Sequence, residues 1–80
     1  MKLGYSSGQK NNKKYYFITL NNNGVRDEIV SDLFHISVEE YIDILHAAGG
    51  YAEDDRGYIF NSEEEVVNSI VMLKVLLYEP

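Results

Sequence analysis

Eighty residues carrying thirteen acids against seven Lys and Arg, for a net charge of −6 at pH 7, leave room for a single small domain over residues 1–80. A separate cofactor domain beside a substrate domain is excluded. An apolar content of 45% with 25% charged residues separates the chain from disordered segments, which hold fewer apolar groups and more uncompensated charge. Cysteine is absent, which excludes disulfides and thiolate metal sites. The first residues show no apolar signal region, and no run of apolar residues is long enough to cross a bilayer, so the expectation is a cytoplasmic protein with no membrane partner. At this length only about 60% of the unfolded chain's surface can be buried, and the core is thin.

The charges are sorted along the chain. Lys2, Lys10, Lys13, Lys14 and Arg26 give residues 1–26 a charge of +5 with no acid, while all thirteen acids against Arg56 and Lys74 give residues 27–80 a charge of −11. Residues 1–14, rich in Gly, Ser, Asn and Lys, read as a mobile basic arm or a short edge strand around Lys2 to Tyr5. Within them, Gly4-Tyr5-Ser6-Ser7-Gly8 spells the nucleophile elbow of hydrolases, but the strand, helix and large sheet which that motif requires are missing around it.

Tyr15-Tyr16-Phe17-Ile18-Thr19-Leu20 is a β-branched and aromatic run, and Asn21-Asn22-Asn23-Gly24 behind it supplies residues that tolerate positive φ. This predicts a strand entering a hairpin turn, with Val25–Val30 as the return strand. A helix is the competing assignment there, since Val25, Ile29, Leu33 and Ile36 also recur at helical spacing. Ser37-Val38-Glu39-Glu40 is a capping box, Val38, Tyr41, Ile42 and Leu45 repeat at helical spacing, and Gly49-Gly50 can end a helix, which predicts a helix from Val38 to Ala48. Glu53 to Gly57 reads as a turn, Tyr58-Ile59-Phe60 as a short strand, and Ser62-Glu63-Glu64-Glu65 as a second capping box that opens a helix from Glu63 to Tyr78. That last helix carries two apolar stripes, one of Val66, Ile70, Leu73 and Leu77, the other of Val67, Val71, Val75 and Tyr78. The second needs cover from helix 38–48, a second copy or a partner. Together these elements predict an α+β domain of order β-β-α-β-α, its antiparallel sheet packed against two helices.

No catalytic constellation emerges. Residues 52–63 partly resemble an EF-hand loop, with Asp54, Gly57, Ile59 and Glu63 in register, but Ala52 and Arg56 occupy ligand positions. Asp43 and His46, three apart on one helix, are too few to close a metal site. No phosphate-binding loop or dinucleotide fingerprint is present, so the expectation is a protein without enzyme activity, metal or cofactor. What remains is surface. Glu39, Asp43, Glu53, Asp54 and Asp55 are candidates for contacting a basic groove of a nucleic-acid-binding protein partner, with Tyr51 and Tyr58 as aromatic anchors. In size and composition the chain resembles the small inhibitors that phages and mobile elements make against host nucleases, anti-CRISPR proteins among them. Two other readings stand beside it. One is a structural or oligomerisation subunit, a homodimer through Val67, Val71, Val75 and Tyr78. The other is direct binding of single-stranded nucleic acid by Lys10, Lys13 and Lys14 beside Tyr5, Tyr15, Tyr16 and Phe17.

Overall fold

A computed structural model describes residues 2–52 and 57–78 of the chain. Two strands, β1 (Leu3–Lys10) and β2 (Lys13–Leu20), open it as an antiparallel hairpin in full register from Leu3↔Leu20 to Lys10↔Lys13. The hairpin closes on Asn11 and Asn12, whose φ values of 53° and 63° are the pair of positive angles that a two-residue mirror-image turn demands. Asparagine reaches this region more readily than other side chains, so the sequence that reads as a loose arm is in fact a turn with the hand that matches strand twist. The elbow-like Gly4 to Gly8 lies wholly inside β1.

A second turn of the same kind, Asn21 and Asn22 at φ 54° and 69°, follows β2. It is placed two residues before the Asn-Gly pair, which instead forms β3 (Asn23–Gly24), matched to Leu20 and Thr19. The expected return strand Val25–Val30 does not form: only Asn23–Gly24 pair back on β2, Val25 and Arg26 lie outside any strand, and the chain departs into α1 (Asp27–Leu33). Helix wins because Glu28 meets the positive end of the helix dipole, and Val30 and Ser31 on the same turn become fully buried. A strand would have turned one of those two neighbours outward.

Helix α2 (Val38–Ala47) begins at the expected cap, where the Glu40 amide donates to Ser37 Oγ at 3.1 Å. Both α1 and α2 end in the same way. After α1 the Ile36 amide donates to the Ser31 carbonyl and the His35 amide to that of Asp32; after α2 the Gly50 amide donates to Leu45 and the Gly49 amide to His46. This is the Schellman pattern, which puts one residue in the left-handed region. Gly49 holds that position at φ 105° after α2, but His35 holds it after α1 at φ 59°.

Strands β4 (Tyr51–Ala52) and β5 (Tyr58–Ile59) form a two-stranded ribbon. Phe60 then pairs with Tyr16, each amide donating to the other's carbonyl at 2.8–2.9 Å, which joins this ribbon to β2. Helix α3 (Glu63–Tyr78) starts with the Glu65 amide donating to Ser62 Oγ and packs on β1, β2 and α2. The core lies between them: Ile18, Val30, Phe34, Tyr41, Leu45, Phe60, Val66, Ile70 and Leu73. The architecture is thus α+β with antiparallel strand pairing, and the described residues form three helices rather than two.

The two Schellman ends generate opposite predictions. His35→Gly removes the left-handed strain of a side-chain-bearing residue and is expected to stabilise the protein by about 0.5–1 kcal/mol. Gly49→Ala, at a position where a Cβ would collide with the Glu65 carboxylate, is expected to destabilise it by about 1–3 kcal/mol. Urea denaturation of both variants checks the sign of each.

Candidate functional site

The candidate residues fall into three separate places. The first is the exposed line of α2. Glu39, Asp43 and His46, spaced four and three apart, share one face of the helix, opposite buried Tyr41 and Leu45, and all three are exposed. At the end of this line the Tyr58 hydroxyl meets His46 Nε2 at 3.0 Å, with the two rings tilted at 58° and their centroids 5.2 Å apart. Tyr58 therefore continues the acidic line of α2 with an aromatic edge. The sequence gives no local cue to this contact, which β5 delivers from twelve residues away.

Tyr51 belongs elsewhere. It is opposite Ile59 in the β4–β5 ribbon while Tyr58 is opposite Ala52, so the two tyrosines sit on opposite faces. The Tyr51 hydroxyl donates to Asn61 Oδ1 at 2.7 Å and lines a small cleft of about 270 Å³ with Lys10, Lys13 and Tyr15, at the turn of the β1–β2 hairpin. Tyr51 and Tyr58 thus do not form one aromatic centre. Glu53, Asp54 and Asp55 lie outside the described residues.

The hairpin gathers the basic and aromatic groups of the first half. Lys14 Nζ lies 5.4 Å from the centre of the Tyr16 ring, whose other neighbour is Tyr5 with centroids 6.4 Å apart, and Tyr15 packs beside Phe17 at 6.0 Å. The Tyr16 face is engaged by a cation of its own chain, which a stacking base would have to displace.

The third place is the outer surface of α3. Val66, Ile70 and Leu73 are buried, as the first apolar stripe predicts. The second stripe is not covered by α2: Val67, Val71 and Val75 remain 36%, 54% and 51% exposed. Tyr78 closes the helix, but its side chain lies outside the described set. Burial first, and then the Glu63 carboxylate beside it, hold the Tyr5 phenol on β1 above its ordinary pKa. Glu65 lies against Gly49 at the end of α2, with its Oε1 buried and no hydrogen-bond partner among the described residues. Glu65, Ser69, Met72 and Leu76 therefore share the α2 flank.

A cleft of about 670 Å³ opens between β2, the start of α1, α2 and β5, and is lined by Tyr15, Phe17, Val25, Asp27, Tyr41 and Tyr58 among others. Burial, and secondarily Asp27, pushes the Tyr41 hydroxyl far above its ordinary range. The cleft holds no nucleophile paired with a base among these groups, and no three metal-ligating side chains converge among the described residues. No described helix is long and apolar enough to cross a membrane. Comparison with protein-family models, with characterised proteins and with solved structures finds no match to this chain.

Asp27 offers a pH handle. Its carboxyl is raised above the ordinary carboxylate value, first by burial and then by the neighbouring Glu28 charge. The folded state thus holds this proton more tightly than the unfolded chain, so the associated stability is fully present below the unfolded value of about 4 and is lost as pH rises through the folded one. At neutral pH the ionised group is a cost. Asp27→Asn is expected to raise the urea midpoint at pH 7 and to leave it unchanged at pH 3; an equal shift at both would show that the carboxyl's ionisation plays no part.

Proposed function

We propose that the chain is a non-enzymatic protein-interaction module of the cytoplasm, which sets the acidic face of α2 against a basic, nucleic-acid-binding surface of a protein partner. The observation that carries this reading is the line Glu39–Asp43–His46 with Tyr58 at its end: the fold leaves both carboxylates exposed while the opposite side of the same helix supplies Tyr41 and Leu45 to the core. Two carboxylates one helical turn apart present repeated negative charge on a rigid element, and such charge raises the rate at which a basic partner is met. Tyr58 adds the amphipathic ring that interface centres favour. Glu53, Asp54 and Asp55 are part of the same proposal on charge alone. A nuclease or another nucleic-acid-binding effector is the partner class that this chemistry fits, with this chain as its inhibitor. A second reading, a subunit that self-associates through α3, is favoured by the exposure of Val67, Val71 and Val75.

The test is capture of proteins from a host lysate by the immobilised protein, followed by charge reversal. Glu39→Lys with Asp43→Lys is expected to weaken capture of a specific partner at least about tenfold, mostly through slower association and with reduced salt dependence. Helical circular dichroism and the melting temperature should hold, because both side chains are solvent-exposed. Unchanged capture by the doubly reversed protein would overturn the reading.

A further inference from the structure

The cleft of about 670 Å³ has the size of a small-molecule site, and its lining is sorted by element. The strands supply rings and the helices supply oxygens. Tyr15 and Phe17, two apart on β2, share one sheet face with centroids 6.0 Å apart and planes tilted by 37°, so they form a continuous aromatic wall. Tyr58 of β5 adds a third ring, anchored through its hydroxyl on His46 Nε2. None of the three is fully buried, which leaves ring surface accessible from the cleft.

The oxygens are the Asp27 carboxylate at the start of α1 and the Tyr41 hydroxyl of α2. Tyr41 is 2% exposed, yet its hydroxyl makes no hydrogen bond among the described residues, and the cleft is the space it lines. Folded proteins rarely leave a buried polar group in that state. Asp27 is half-buried, and no cation among the described residues pairs with it, since Arg26 stays exposed at the rim without an ion pair. Two unmet oxygens thus line one ring-walled space. Sites that depart from full pairing in this way are where a ligand supplies what the chain omits.

The omitted partner must bring positive charge for Asp27, N–H donors for two separate oxygens, and a surface that packs on rings. A quaternary ammonium has the charge but no donor, and a primary ammonium has donors but no flat face. A guanidinium has all three, with five N–H groups in one plane that stacks on aromatic faces. We infer that the cleft is a guanidinium-binding site, in which Asp27 and Tyr41 accept N–H bonds while Tyr15, Phe17 and Tyr58 enclose the cationic plane. Glu28 at the rim adds attraction and Arg26 opposes it, so the carboxylates outnumber the cation among these lining groups. The inference stands apart from the acidic face of α2, because a small probe reads the cleft without any protein partner.

Titration of the protein with methylguanidinium, N-acetyl-arginine amide and tetramethylammonium, followed by NMR of the backbone amides in about 0.15 M salt, tests it. The two guanidino probes should saturate with a Kd at or below about 5 mM and shift the signals of residues 15–17, 25–28, 41–45 and 57–59, whereas tetramethylammonium should bind at least about tenfold more weakly. Tighter binding of N-acetyl-arginine amide than of methylguanidinium supports an arginine side chain of a protein as the occupant, and the reverse supports a free guanidino compound. Asp27→Asn should weaken both probes at least about tenfold and Tyr41→Phe about threefold, with circular dichroism unchanged and stability equal or raised, since each removes an unmet group. No saturable shift up to about 50 mM, equal affinity for tetramethylammonium, or unchanged affinity in Asp27→Asn would overturn the site.

Discussion

The pair of backbone hydrogen bonds between Tyr16 and Phe60 is the constraint on which the rest of the molecule depends. It joins the N-terminal hairpin to the C-terminal ribbon, and it fixes Phe60 where its ring is wholly buried. Room for that ring comes from Gly50, where a Cβ would stand 2.8 Å from the Phe60 ring. The helix end that begins the β4–β5 ribbon is thus also what lets Phe60 pair with β2.

Local chemistry carried much of the fold into the sequence, and the gaps have physical causes. Helices α2 and α3 were legible because each opens on a capping box and α2 closes on glycine. Helix α1 was less so: its end has the same hydrogen bonds as that of α2, but the left-handed residue is His35, and no residue type announced it. Strand β1 has neither β-branched nor strongly apolar residues after Leu3 and exists because β2 holds it in register between two asparagine turns. The Asn-Gly pair misled by two positions, since Asn21 and Asn22 tolerate positive φ on their own and Gly24 was left to the strand.

The candidate surfaces divide along the same line. The i,i+4 spacing of Glu39 and Asp43 is a helical property and needed only the helix, and the exposed second stripe of α3 follows from its own periodicity. The separation of Tyr51 from Tyr58, and the meeting of Tyr58 with His46, depend on a ribbon pairing that no local pattern encodes. Which flank of α3 would stay bare was equally hidden, because it is set by how β1, β2 and α2 pack on the helix, with Glu65 against Gly49.

The asparagine-turned hairpin has a kinetic consequence. Hairpins with tight turns close in about 1–10 µs, whereas contacts far apart in sequence wait on loop closure. In a nascent chain the β1–β2 pair can therefore form while the residues that cover it, Phe60 and then Val66, Ile70 and Leu73 of α3, are still unmade. During that interval the apolar face at Leu3, Tyr16 and Ile18 and the outer backbone edge of β1 are open together. The order of synthesis thus sets a period of vulnerability to off-pathway strand pairing, which only arrival of the last helix brings to an end.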